Sequence, residues 1–252
     1  MKILLSPAKS LDFERSVPQI DFKHPEYLSK SSKIMNVLKE MNPSELESLM
    51  KVSPKLASLN WTRNQNWSNS YEKDHSRPAI FAFTGDVYQG LDVDSLNKEE
   101  LTYIQKELLI LSGLYGMLKP LDYILPYRLE MGTKIEVEDA SNLYKFWRPL
   151  LTQDLKEQMR DEEFVLNLAS NEYSKAIDFK SLNHEVITPH FKDFKDGKLK
   201  MISFYAKKAR GMMLKYCAQH NLEKAEDLKG FNSGGYAFDD SLSDATNLVF
   251  TR

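Results

Sequence analysis

The sequence predicts a mixed α/β (α+β) protein, with one domain built around a mixed β-sheet flanked by helices. Short apolar runs typical of buried strands alternate along the chain with segments of helical periodicity, which is the pattern of α/β folds. The 252 residues suffice for one large hydrophobic core, and no linker, repeat or low-complexity segment interrupts residues 1–252. We therefore expect a single domain over the whole chain.

Strands are predicted where short apolar or β-branched runs end at Pro, Gly or a polar cluster. These runs are Lys2–Ser6, Pro78–Thr84, Leu108–Ser112, Phe164–Ala169, Glu185–Pro189, Met201–Tyr205 and Leu248–Phe250. Phe191–Leu199 predicts a hairpin that turns at Asp196-Gly197. Helices are predicted where apolar residues recur at spacings of three and four. They are Pro25–Met41, Pro43–Met50, Lys98–Glu107, Leu143–Met159, Ala206–Cys217 and Ala225–Phe231.

The composition is that of an ordinary soluble globular protein, and its formal net charge is −2. A site for a polyanion must therefore be local, and residues 192–215 carry eight cations against two aspartates. The single cysteine, Cys217, lies on an apolar helix face and is expected in the core. No signal peptide or membrane-length apolar run is present, which predicts a cytoplasmic protein without membrane contact. The five histidines lack metal-ligand spacing, so we expect no metal and no cofactor.

The hydrophobic period changes after the predicted strand Met201–Tyr205 and becomes helical from Ala206 onward. Lys207, Lys208 and Arg210 would then lie in the first helical turn, where the helix dipole favours anions over cations. Cations beside the free N–H groups of a helix start suit a bound phosphate. The alternative is a solvated basic face.

Polar side chains follow several predicted strands, and they would share one cleft if the strand ends are adjacent. Lys9 follows the first strand, where the alternative is an exposed loop lysine. Arg128 either pairs with a nearby glutamate or binds phosphate in bidentate fashion. No catalytic signature is present, neither a nucleophile elbow nor a Walker loop nor a dinucleotide fingerprint. The candidate acid–base groups are Asp86, Tyr88, Tyr115, Glu130 and Glu172.

Six long motifs from Met1 to Arg252 resemble the bacterial peroxide stress protein YaaA family. They are SPAKSL (6–11), FTGDVYQGL (83–91), LSGLYGMLKPLDYILPYRLEMGTK (111–134), LASNEY (168–173), ISFYAKKARG (202–211) and GFNSGGYAF (230–238). The resemblance implies a cytosolic protein induced by hydrogen peroxide. It also implies that the protein limits unincorporated iron and so suppresses Fenton damage to DNA and proteins.

The resemblance further implies a family-specific fold with a positively charged DNA-binding cleft and a helix-hairpin-helix element. The cleft is expected at Lys9, Lys207, Lys208 and Arg210, and Arg128 is a further candidate for phosphate. The hairpin is expected at Gly234 and Gly235, although no apolar residue separates the two glycines as the usual pattern requires. The turn Gly113–Gly116 is a rival location.

Two functions are compatible with these residues. The first is a non-enzymatic protein that binds double-stranded DNA through its phosphates, without reading the bases. The second is an enzyme that acts on a nucleoside or a damaged nucleobase, using a carboxylate close to a tyrosine. The absence of a catalytic signature favours the first function. Direct iron sequestration has little support, since no carboxylate–histidine cluster stands out.

Overall fold

A mixed eight-stranded sheet organises the computed structural model, which describes residues 1–252. The strands are β1 (Lys2–Leu5), β2 (Ser10–Leu11), β3 (Arg77–Pro78), β4 (Phe83–Thr84), β5 (Leu108–Ser112), β6 (Gly116–Leu118), β7 (Tyr123–Ile124), β8 (Val165–Asn167), β9 (Val186–Lys195), β10 (Lys198–Lys200), β11 (Ala237–Phe238) and β12 (Asn247–Thr251). The α-helices are α1 (Leu28–Glu40), α2 (Pro43–Met50), α3 (Pro54–Asn66), α4 (Ala79–Ala82), α5 (Asp86–Leu91), α6 (Lys98–Glu107), α7 (Leu143–Gln158), α8 (Asn171–Ser174) and α9 (Ser203–Gln219).

The sheet has the strand order β11-β12-β9-β8-β1-β5-β6, and β10 pairs with β9. The five strands from β12 to β5 run parallel to one another, whereas β11, β10 and β6 are antiparallel to their neighbours. Leu4 sets the register at the centre, opposite Leu109 of β5 and Asn167 of β8. The carboxyl ends of the five parallel strands therefore lie at one edge of the sheet.

The hydrophobic core is one cluster of 66 buried residues centred on this sheet. Every residue of β5 is buried, as expected for a parallel strand that is covered on both faces. Cys217 of α9 lies in the same core, and its burial raises the pKa of its thiol well above the usual range. Its predicted place in the core is therefore confirmed.

Most predicted elements are found within a few residues of the expected bounds. The helix α2 starts as its sequence predicts, with Asn42 as the cap, Pro43 in the first turn and Glu45 completing a capping box. The turn at Asp196-Gly197 is also confirmed, because it joins β9 to β10. The strand Glu185–Pro189 and the first arm of that hairpin form a single longer strand, β9.

The predicted strand Pro78–Thr84 is wrong. Its centre is the helical turn α4, between the two-residue strands β3 and β4. The N–H groups of Ala79 and Ile80 donate to the carbonyl oxygens of Asp122 and Pro120, at 2.8 and 2.9 Å. These donors are thus satisfied by a loop and not by a neighbouring strand. A short buried apolar run has no periodicity that distinguishes a strand from a helical turn, so the sequence could not separate the two.

The predicted strand Met201–Tyr205 is also wrong, because α9 begins at Ser203. Met201, Phe204 and Tyr205 are exposed. Because the helix begins at Ser203, Lys207, Lys208 and Arg210 all lie beyond its first turn. The expectation of cations at the helix N-terminus is thus overturned. The predicted helix Ala225–Phe231 is a 3-10 helix over Ala225–Gly230.

Candidate functional site

A cavity of ≈ 330 Å³ opens at the carboxyl ends of β1 and β8. Its walls come from the segments that follow these two strands and from the helices α5 and α9. The position agrees with the predicted cleft at the strand ends, because four elements distant in sequence meet there. The polar side chains that line it are Ser6, Lys9, Ser10, Thr84, Asp86, Tyr88, Ser170, Glu172, Tyr173, Lys207 and Arg210.

Hydrogen bonds fix the floor of the cavity. The Ser6 hydroxyl donates to the Ser170 hydroxyl at 3.3 Å and accepts from the Ser170 N–H at 2.9 Å, which ties the end of β1 to the segment after β8. The Tyr88 hydroxyl donates to the Ser6 carbonyl oxygen at 3.1 Å, which adds α5 to the same network. Burial raises the pKa of the Tyr88 phenol well above its usual range. The phenol therefore stays protonated and acts as a structural donor.

Two glycines bring α5 and α9 into backbone contact. A Cβ on Gly90 of α5 would lie 2.0 Å from the Lys208 carbonyl oxygen, and one on Gly211 of α9 would lie 1.8 Å from the Val87 carbonyl oxygen. No side chain fits at either position. The contact fixes the position of α5 relative to α9. Asp86, the first residue of α5, and Arg210 of α9 therefore line the same cavity.

Some of the candidate cations are neutralised and others are not. Glu130 forms an ion pair with Lys9, at 2.6 Å between Nζ and Oε2, and another with Arg128, at 3.4 Å between Nη2 and Oε1. Arg128 thus makes the predicted glutamate pair, and it lies outside the cavity lining. Lys207 and Lys208 are exposed and form no ion pair. These two lysines leave positive charge available to an outside anion.

Arg210 is a partly buried cation that forms no hydrogen bond or ion pair within the protein. Burial lowers the pKa of its guanidinium, and no carboxylate offsets this effect. A desolvated charge without a partner reduces stability, and such a group is commonly retained for ligand binding. Arg210 is therefore the strongest anion-binding candidate in the cavity.

Arg210→Met is expected to raise the free energy of unfolding by about 1 kcal/mol, because methionine fills similar space without a charge to desolvate. Urea denaturation would measure this change. Arg210→Lys is the control, since it keeps the charge and should give no gain. A clearly less stable Met variant would show that the guanidinium stabilises the native fold.

Glu172 connects the cavity to a second one of ≈ 790 Å³, because it lines both. One of its carboxylate oxygens accepts a hydrogen bond from the Gly132 N–H at 3.0 Å. The second cavity lies between α2 and residues 130–134, and its charged lining residues include Glu45 and Lys134. The two cavities form a cleft whose lining carries both signs of charge.

Tyr115 lies outside this cleft and is fully buried. Its hydroxyl accepts hydrogen bonds from the Trp67 indole N–H at 3.0 Å and from the Leu125 N–H at 3.1 Å. These contacts give it a packing role. The turn Gly113–Gly116 is likewise buried, so its backbone cannot reach a phosphate.

Gly234 and Gly235 form an exposed turn with φ of 64° and 80°. A Cβ on Gly234 would lie 2.8 Å from Cε of Met212, which is two residues and thus about 200° around α9 from Arg210. The turn therefore lies away from the cavity. It follows a 3-10 helix and leads into the strand β11, so this segment lacks the two α-helices of a helix-hairpin-helix.

No group of three or more His, Cys, Asp or Glu side chains is arranged to hold a metal ion. No helix has both the length and the apolar character needed to cross a membrane.

The glycine contact between α5 and α9 was not predicted from the sequence. The available signal was Gly211 in the middle of an otherwise regular amphipathic helix, because such a glycine weakens the helix unless packing requires it. The contact between Ser6 and Ser170 cannot be predicted without the strand order, because it depends on β1 and β8 being neighbours.

These features define an α/β protein with a ligand-sized cleft at the carboxyl ends of its parallel strands. A family model described as "Peroxide stress protein YaaA" matches residues 1–242. The chain is 53% identical to a UPF0246 protein of Flavobacterium johnsoniae over 100% of both chains. It is 48% identical to a UPF0246 protein of Aliivibrio fischeri, over 100% of this chain and 98% of the relative. The chain belongs to the peroxide stress protein YaaA family, which confirms the resemblance.

Proposed function

We propose that the protein binds double-stranded DNA during peroxide stress, through contacts of α9 with the phosphates. The observation that carries the proposal is the group Lys207, Lys208 and Arg210, three cations on one helix without an acidic partner. In contrast, Lys9 and Lys215 are held by Glu130 and Asp92. The unpaired cations can replace the counterions of a phosphate backbone without first breaking an internal ion pair.

The binding is expected to be independent of base sequence. Lys207 and Lys208 are exposed point charges, which suit phosphate oxygens and carry no pattern of donors and acceptors to match base edges. Because the net charge of the protein is −2, only the basic face formed by Lys207, Lys208 and Arg210 attracts DNA. Affinity should therefore be modest and strongly dependent on salt.

Fluorescence polarisation with a short labelled duplex tests the proposal. The logarithm of the association constant should fall linearly with the logarithm of salt concentration, with a slope of about −0.9 for each phosphate contact, or about −2 to −3 for two or three contacts. A second duplex of shuffled sequence should give the same curve. Absence of binding at low salt, or binding that is insensitive to salt, would reject phosphate contacts as the basis.

We further propose that the protein acts in the cytoplasm and there limits unincorporated iron, which protects DNA and proteins from Fenton chemistry. Family membership supports this role. Electron paramagnetic resonance of chelated iron in peroxide-treated cells can test it, using a strain that lacks the gene. Wild type should restore low iron, and a Lys207→Ala/Lys208→Ala variant should not. If both proteins restored low iron equally, the iron effect would be independent of DNA binding. If neither did, the proposed role in limiting iron would be rejected.

A further inference from the structure

The cavity between β1 and β8 lies where the order of the parallel strands reverses. The chain passes from β1 to β5 on one side of it, returns to the other side for β8, and then continues outward to β9. In open parallel sheets, ligands bind in the crevice outside the carboxyl ends of the strands at such a reversal. Ser6 and Ser170, which follow β1 and β8, meet at the floor of this crevice. The topology therefore points to a ligand site at this cavity.

Charges of both signs line the cavity without neutralising one another. Arg210 has no partner, and the Asp86 carboxylate forms no hydrogen bond or ion pair. Glu172 uses one oxygen for the Gly132 N–H and leaves the other without a hydrogen bond. A phosphate alone would be attracted by Arg210 and Lys207 but repelled by Asp86 and Glu172. A ligand that satisfies both pairs must carry an anionic group and, separately, N–H donors.

We propose that this cavity binds one nucleotide unit. Arg210 and Lys207 would hold the phosphate, since a guanidinium donates two parallel hydrogen bonds to phosphate oxygens. Asp86 and Glu172 would accept hydrogen bonds from the exocyclic amino group of the base, as carboxylates do from N4 of cytosine. The volume of ≈ 330 Å³ is at the lower end of small-molecule sites, so it admits one nucleotide unit, and a duplex can approach only the mouth of the cavity.

Two sources can supply this nucleotide unit. An unpaired nucleotide turned out of a DNA strand presents the phosphate and the base together, and in that case the inference rests on the proposed DNA binding. A free nucleoside monophosphate presents the same groups and needs no DNA. The two sources are separated by measuring the binding of each directly.

The first measurement compares a duplex that contains one unpaired cytosine with the fully paired duplex of the same length. Wild type should bind the former about tenfold more tightly, which is the discrimination expected of one good carboxylate–amino contact. Asp86→Asn should bring the ratio of the two dissociation constants close to one. Glu99→Gln, which changes an exposed acid on α6, is the charge-matched control and should keep the wild-type ratio.

The second measurement is calorimetric titration with deoxycytidine monophosphate and, as a comparison without an amino group, thymidine monophosphate. Preference for the cytidine nucleotide, lost in Asp86→Asn, supports the site. If Asp86→Asn fails to fold, Glu172→Gln tests the same wall.

The outcomes separate this inference from the proposed function. Binding of the paired duplex with neither preference overturns the nucleotide site and leaves DNA binding intact. Binding of the monophosphate without binding of any duplex supports the site for a free nucleotide and overturns the proposed function. Absence of all binding overturns both.

Discussion

Replacing Gly211 by alanine is expected to lower the free energy of unfolding by at least about 2 kcal/mol, although alanine is the better helix former. The new Cβ would lie 1.8 Å from the Val87 carbonyl oxygen and 2.6 Å from the Leu91 nitrogen. Both are backbone atoms, so no side-chain rotation relieves the overlap, and α5 and α9 must separate. Overpacking of this kind costs about 3 kcal/mol, whereas the helix-propensity gain from glycine to alanine is about 1 kcal/mol.

Urea denaturation would measure the loss. Gly197→Ala is the matched control, because no atom lies within 4 Å of its new Cβ and its φ of +73° carries only the cost of a left-handed residue, about 1 kcal/mol. The Gly211 variant should also lose affinity for DNA, since the same contact holds the cavity walls together. A Gly211→Ala protein as stable as wild type would mean that the two helices can move apart freely.

The sequence predicts the centre of the fold well because local pattern decides it there. β5 is a continuous apolar run ended by polar and glycine residues, and α2 carries its start signal in Asn42 and Pro43. Where local pattern is ambiguous, tertiary contacts decide. Ala79–Ala82 is as apolar as a strand but becomes helical because its N–H groups meet the loop at Pro120–Asp122.

The candidate site was predictable in part for a similar reason. The polar residues at strand ends could be recognised individually, and Lys9, Asp86, Glu172 and Arg210 do line one cavity. Their convergence depends on β8 lying beside β1, which is a pairing across 163 residues that no local signal encodes. The ion pair of Lys9 with Glu130 cannot be predicted from the sequence either, because it also joins residues far apart in the chain.

Replacing Lys207, Lys208 and Arg210 together by alanine is expected to weaken binding to duplex DNA about a thousandfold at 50 mM salt. Counterion release gives a slope of about 0.9 per phosphate contact, so each contact contributes roughly tenfold between 50 mM and 1 M salt. Loss of three contacts should also reduce the salt slope by about three units. Fluorescence polarisation over a salt series yields both numbers.

The change in slope distinguishes direct contact from general charge. A control variant, Lys55→Ala/Lys98→Ala/Lys180→Ala, removes three exposed lysines from other elements and shifts the net charge of −2 by the same amount. Its weaker long-range attraction should lower affinity slightly while the slope stays near that of wild type. If the salt slope falls equally in both triple variants, the cations of α9 do not contact the phosphates directly. If only the α9 variant does, the phosphates lie against that helix, at the mouth of the cavity that Arg210 lines.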